Sequence, residues 1–235
     1  MKRIICIFLS FMLVFVLSAC FENEKNAFDA EAFCTEFFSE EGLYTDELGN
    51  TYNYSYKIPE FNLESEDAKE LNDKIKKDFY KLCENEKTSM ADGLSLVVVS
   101  VSYETYIKGE ILSFLVKALY DSDYTSYGAY SINVATGKAE KVQDFLLLSG
   151  LEKEEFIGEI KKAAGDKYKE IYGDPEGKEY LMYAYDYTVS DDAVNMDMPM
   201  FIGENGNLFA VAKIGSVAGA AYYEYIIDTG IRVIK

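Results

Sequence analysis

Histidine is absent from this chain of 235 residues, and so is tryptophan. Without histidine no Ser-His-Asp or Cys-His machinery can be assembled, and no His-containing zinc site is available. Most hydrolase and deacetylase mechanisms are thereby removed. Positive charge is also scarce, with 23 Lys and Arg against 41 Asp and Glu and a net charge of −18. Nucleic acid is disfavoured as a partner, because its phosphates would be repelled instead of neutralised. A cationic partner is the electrostatic match, since a strongly charged surface raises encounter rates with opposite charge. The plain alternative is that the acidity only keeps the protein soluble. No internal repeat or low-complexity tract is visible.

What is present begins at the N-terminus. Lys2 and Arg3 precede an apolar run from Ile4 to Leu17, and the small residues Ser18 and Ala19 stand before Cys20. This is the layout of a secretory signal, too short and too close to the start to favour a spanning helix. The ending Leu17-Ser18-Ala19-Cys20 resembles the lipobox of bacterial lipoproteins. That resemblance implies acylation of Cys20, palmitate included, cleavage just before it, and attachment to the cell membrane on its extracytoplasmic face. The alternatives are an ordinary cleaved signal or an uncleaved anchor. The expected organisation is a signal peptide over residues 1–19, the lipidated Cys20 and a tether over 20–44, and a folded part over 45–235. Loss of Lys2 and Arg3 would leave 21 basic against 41 acidic residues, a net charge of −20.

Of the four cysteines, Cys6 leaves with the signal and Cys20 carries lipid, so Cys34 and Cys83 remain. Outside the cytoplasm they form a candidate disulfide that would pin the N-terminal segment to the helix holding Cys83. The alternative is two free buried thiols.

With 20 Tyr and 15 Phe the chain reads as strand-rich. Residues from Phe21 to about Ala32 lack a period and read as tether, turning helical near Ala30 to Phe38. Thr51 to Ile58 alternates Tyr52, Tyr54 and Tyr56 on one face of a strand that Pro59 ends. Ser65 caps a helix whose Ala68, Leu71, Ile75, Phe79 and Leu82 recur at spacings of three and four, with acids in its first turns and lysines later. Leu94 to Tyr106 and Ile111 to Tyr120 read as strands around Lys108-Gly109, and Tyr127 to Val134 as another, closed by Ala135-Thr136-Gly137-Lys138. Glu152 to about Tyr172 is a second amphipathic helix, with Phe156, Ile160, Ala163 and Ala164 inward, broken at Gly173-Asp174-Pro175. Met200 to Ile202 and Leu208 to Ile214 flank an Asn205-Gly206 turn, and Tyr222 to Asp228 with Ile231 to Ile234 close the sheet. The order predicts an α+β fold of antiparallel sheets packed with two main amphipathic helices. Within it an N-terminal part over about 45–106 and a C-terminal part over about 107–235 are expected.

The stretch from Gly128 to Lys138, which contains Asn133-Val134-Ala135-Thr136-Gly137-Lys138, is followed by Val142-Gln143-Asp144-Phe145, a helix, and a hairpin from Phe201 to Leu208. This succession resembles the extracellular domain of RsiV-type anti-sigma factors, a domain of unknown function that also accompanies PdaC-type peptidoglycan deacetylases. The Tyr-rich strand and helix of Tyr52 to Leu82 match the region that precedes it there, and the resemblance spans roughly residues 45–230. It implies turn and helix-start roles for Gly137 and for Asp144-Phe145, no catalytic residue at the matching positions, and a capacity to bind lysozyme, a cationic wall-degrading enzyme. The departures shape the expectation further. Only Met1, Lys2 and Arg3 precede the apolar run, where an anti-sigma factor carries its sigma-binding segment. The histidines of a deacetylase metal site are missing as well. A binding domain alone, on a lipid leash, is expected.

Two acidic, tyrosine-bearing stretches are the candidate partner-binding residues: Asp121, Asp123, Tyr124 and Tyr127, and then Asp186, Tyr187, Asp191 and Asp192. Tyrosine is enriched at protein interfaces and on sugar-stacking surfaces, although lining a sheet is its commoner use. Tyr180, Tyr183 and Tyr185 cluster by the second stretch, and Tyr222, Tyr223 and Tyr225 form a third cluster. The leading expectation is non-catalytic capture of a cationic protein such as lysozyme. A wall-glycan (peptidoglycan) or envelope-assembly lipoprotein is the alternative. A carboxylate-based glycoside hydrolase using a pair among Asp121, Asp123, Asp186, Asp191 and Asp192 is a minor one. No cofactor or metal is expected, since Asp121-Ser122-Asp123-Tyr124-Thr125 lacks the glycine and distal glutamate of an EF-hand loop.

Overall fold

The computed structural model describes residues 30–218 and 221–233. The signal segment, Cys20, the first part of the tether and Ile234 lie outside the described residues. Among the described residues no helix is long and apolar enough to cross a membrane.

A four-residue helix α1 (Ala30–Phe33) leads into strand β1 (Cys34–Thr45), which pairs antiparallel with β2 (Thr51–Phe61) over almost its whole length. This corrects the expected tether, since from Cys34 onward the segment is a strand. Lying at the sheet edge, β1 leaves seven of its 12 residues exposed and the other five only partly buried, so its sequence carries no sharp period. Pro59 sits inside β2 instead of ending it. Helix α2 follows as Glu66–Ile75, a π turn at Lys76–Tyr80, and Lys81–Ala91. Ser65 caps it as expected, its hydroxyl accepting the Ala68 N–H at 3.1 Å.

Strands β3 (Val98–Lys108), β4 (Ile111–Tyr120), β5 (Thr125–Asn133) and the short β6 (Lys138–Glu140) complete a six-stranded sheet in the order β1-β2-β3-β4-β5-β6. Every neighbouring pair is antiparallel except β2 with β3, which run parallel and pair at Ser55↔Ser100 and Tyr56↔Val101. The sheet is therefore mixed, because the α2 crossover returns the chain in the direction in which it left. After β6 come α3 (Val142–Ser149), α4 (Lys153–Tyr172) and α5 (Glu179–Thr188), then a separate antiparallel sheet of β7 (Met200–Ile202), β8 (Asn207–Gly215) and β9 (Tyr222–Arg232). The two terminal strands read from the sequence are one strand. A register shift opposite Asn207–Phe209 and a left-handed Gly230 (φ 71°) absorb the irregularity between them.

Two cores result. In the first, α2 contributes Ala68, Ile75, Phe79 and Cys83 against Tyr56, Phe61, Leu112, Phe114 and Ile132 of the large sheet. In the second, α3, α4 and α5 close over the small sheet, with Phe156, Ile160, Ala164 and Tyr168 at its centre. Strand β4 belongs to both, since Leu112, Phe114, Val116 and Ala118 enter the first core while Ile111 enters the second. Strand β7 lies against β3, β4 and β5, and the Tyr106 and Phe201 rings meet at 4.9 Å across that seam. The buried hydroxyls of Ser113 and Ser131, paired in register, satisfy one another at 2.7 Å. The expected division near residue 106 falls in the β3–β4 hairpin, whose strands pair along their length.

Cys34 and Cys83 are separate free thiols instead of the candidate disulfide. Cys34 opens β1 beside the side chains of Thr105 and Tyr103, while Cys83 is sealed in the first core, where burial pushes its thiol up to about 12.

A tyrosine face and the cleft beside it

The β4–β5 connection is a tight hairpin in which Tyr120 N–H donates to Tyr124 O at 2.8 Å and Asp123 takes a left-handed conformation (φ 61°). An Asp tolerates that region better than most residues, because its short polar side chain bonds locally. The turn leaves Asp121 and Asp123 exposed and folds Tyr120 against Tyr124, ring centroids 5.3 Å apart.

The second predicted stretch is held by α5. Thr188, fully buried at the end of that helix, donates its hydroxyl to Ala184 O at 2.9 Å and accepts the Gly215 N–H at 2.8 Å. Only glycine fits at 215, since a Cβ there would stand 2.3 Å from Ala184 O. Helix α5 thus rests on the end of β8, and because Gly215 pairs with Tyr222, the preceding Tyr187 stacks on Tyr222 at 6.1 Å. Tyr124 meets the next residue, Tyr223, also at 6.1 Å.

The first two residues of β9 therefore receive Tyr124 and Tyr187, which lie 63 positions apart in sequence. Two sets of half-buried rings meet there, Tyr120 with Tyr124 and Tyr223, and Tyr187 with Tyr222. Exclusion from water pushes the Tyr124 hydroxyl up to about 12, with Glu224 and Tyr222 adding to the effect, and Tyr187 is raised by burial, Tyr222 and Asp192. These phenols stay neutral, with a hydroxyl able to donate. Asp186, Asp191 and Asp192 are exposed nearby in the chain. Asp191 pairs with Lys161 at 2.6 Å, and that bond holds its carboxyl below the usual range. Lys213 lies over the Tyr222 ring at 5.0 Å.

Of the eight candidate contact residues, Tyr124 and Tyr187 reach the start of β9 by ring contacts with the adjacent residues Tyr223 and Tyr222, and Asp192 lies near Tyr187. Tyr127 turns toward a different feature, a cleft of about 600 Å³ at the junction of the two cores. One wall of this cleft is α2 and the floor is β5; the opposite side is made by residues 139–145 and 196–200 and by Glu224 of β9. The π turn in α2 brings Asp78 and Phe79 to the wall, and Asp78 accepts the Tyr130 hydroxyl at 2.9 Å. Gly128 is obligatory in the floor, because a Cβ would lie 2.7 Å from both Phe79 Cε2 and Tyr130 Oη. Lys74 stands over the Tyr130 ring at 5.7 Å, and Asp67 accepts the Ala139 N–H at 2.9 Å.

Glu224 differs from these acids. It accepts one hydrogen bond, from Tyr127 N–H at 2.9 Å, and desolvation raises its carboxyl above the ordinary value. Its cross-strand partner Lys213, which stands over the Tyr222 ring, offsets part of that rise. Sequence reading missed Glu224, Asp78 and Lys74; the available signal was a single acid between Tyr223 and Tyr225 in an otherwise aromatic strand start. Among the described residues no group of three or more acids or cysteines is placed to hold a metal ion.

No family profile and no curated protein matches this chain. Solved structures do. A DUF3298 family protein from Pseudomonas aeruginosa PAO1 superposes with a TM-score of 0.46 at 11% identity, covering 85% of this chain and 89% of its own. A DUF3298 family member from Bacteroides fragilis NCTC 9343 gives 0.42 at 8% identity, covering 83% and 88%. Likeness at this level is one of coarse chain path and assigns no residue a role.

Proposed function

We propose that this chain is a lipid-anchored, extracytoplasmic, non-catalytic binding domain that captures a cationic protein such as lysozyme on the tyrosine face. The observation that carries this reading is the approach of Tyr124 and Tyr187 to the adjacent Tyr223 and Tyr222, with exposed aspartates on the segments that supply them. Half-buried tyrosines offer large contact area at small entropic cost, and their faces accept cations, while surrounding carboxylates steer a basic partner. The acidic balance of the whole chain adds long-range attraction. Cys20 would hold this surface at the membrane, with the residues before β1 as the spacer.

The test is calorimetric titration of the full chain in detergent with lysozyme, at low and near-physiological salt. Stoichiometric binding of micromolar strength or better, weakening as salt rises, supports the reading. Tyr222→Ala should weaken it most, because that ring touches Tyr187 and neighbours Tyr124. Absence of heat at low salt overturns the reading and turns the search to wall glycans, whose binding would show little salt dependence.

A further inference from the structure

The cleft shares Tyr120 with the tyrosine face, and Tyr127 and Glu224 lie at the same end of it. Three properties limit what enters. Its volume of about 600 Å³ accommodates a side chain with its water. Two polar pairs are built into its lining, Tyr130 with Asp78 and Ala139 N–H with Asp67. Glu224 stands apart by its desolvation at the edge of the cleft: a carboxylate has room for about four hydrogen bonds, and this partly buried one receives a single backbone N–H, with Lys213 across the strand as a more distant charge. The acids on the walls outnumber the two lysines, Lys74 and Lys141, so an anionic group is disfavoured.

We infer that the cleft receives one guanidinium or alkylammonium group, with Glu224 as its counter-charge and Tyr120 and Tyr127 flanking it. A planar fork or an ammonium would supply the donors that Glu224 lacks, and a tyrosine ring would cover the cation's hydrophobic stem. Resting on the reading above, the group is an Arg or Lys side chain of the captured protein, which makes the cleft the anchor pocket and the tyrosine face its surround. The same chemistry on a free small cation is the other source, and the test separates the two.

The first arm uses N-acetyl-arginine amide with the isotopically labelled full chain in detergent, following the Tyr127 and Gly128 amide resonances. Saturable millimolar shifts that vanish in Glu224→Gln and return in part in Glu224→Asp are expected. No shift, or shifts that Glu224→Gln leaves unchanged, overturns the inference; thermal unfolding of each variant shows that it is folded. The second arm repeats the lysozyme titration with the same variants and with Tyr187→Ala. Glu224→Gln should weaken lysozyme at least about tenfold, whereas Tyr187→Ala should weaken lysozyme and leave the arginine-amide shifts intact. Lysozyme binding that ignores Glu224→Gln overturns the anchor. If wild-type chain holds arginine amide but not lysozyme, the proposed partner falls and the cleft is a site for a free cation.

Discussion

Asp46 in the β1–β2 turn and Glu224 in the cleft are two carboxylates that folding treats in opposite ways. Asp46, only 5% exposed, accepts the Ser95 hydroxyl at 2.6 Å, the backbone N–H groups of Leu48 and Asn50 at 3.0 and 2.8 Å, and the Asn50 side-chain amide at 2.9 Å. Those donors, Ser95 foremost, hold its carboxyl at about 2. Glu224 has one backbone donor and is raised by desolvation. The difference lies in what surrounds each charge. Around Asp46 the fold supplies donors from two chain segments, so the acid ties the hairpin to residues 93–97 and nothing is left for a ligand. Around Glu224 it supplies a cavity.

The comparison breaks if the two ends of the molecule fold separately. Phe114, fully buried in the first core and stacked on Phe61 at 4.1 Å, tests this with the largest effect. Phe114→Ala should cost about 3–5 kcal/mol in urea unfolding. Because β4 serves both cores, the loss should appear as one transition seen alike by tyrosine fluorescence and far-UV circular dichroism. Two transitions would mean that Asp46 and Glu224 report on independent units.

Asp46→Asn comes next. It removes the charge that four short hydrogen bonds stabilise, so stability at neutral pH should fall, with the β1–β2 turn and residues 93–97 losing hydrogen-exchange protection together. The pH dependence has a definite sign. A folded-state value of about 2, below the ordinary 3.8, gives stability that is present above 3.8 and is lost as pH falls toward 2. Wild type and Asp46→Asn should therefore converge over that interval; a constant difference down to its lower end would show that the carboxylate charge is not what holds the turn. Tyr130→Phe should be milder, about 0.5–1.5 kcal/mol, because one hydroxyl bond to Asp78 is lost while the ring keeps its packing. A larger loss would make that pair, and not Glu224, the dominant polar element of the cleft.

How far the sequence foretold these features follows the same physics. Local signals were readable: Ser65 capping α2, the Asn205-Gly206 turn, and α4 within a residue of its observed ends. β1 was not, because an edge strand with no fully buried residue needs no alternation of polarity. Nor was α5, whose Tyr180, Tyr183 and Tyr187 sit at helical spacing but carry strong strand preference. In the site, the tyrosine-aspartate stretches were legible one at a time. Their approach to the start of β9 was not, since for the second stretch it depends on Thr188 docking at Gly215. Glu224 was one acid among 41, and what separates it is its desolvation beside the cleft, a tertiary property.

That desolvation gives the smallest expected effect and the one opposite in sign. Because desolvation makes the Glu224 charge costly in the cleft, Glu224→Gln should leave stability at neutral pH unchanged or slightly raised, since the amide oxygen still accepts the Tyr127 N–H. A raised folded-state value means that the folded chain takes up the proton more readily than the unfolded one, so wild type gains stability relative to Glu224→Gln as pH falls below that value toward the ordinary 4.5. Asp46 drives its own contribution the other way and at lower pH, so unfolding scans of the two single variants should diverge from wild type in separate windows and with opposite slopes. Should Glu224→Gln instead destabilise the chain at neutral pH as Asp46→Asn does, Glu224 would be a structural carboxylate, and the cleft would have no unmet charge to offer a ligand.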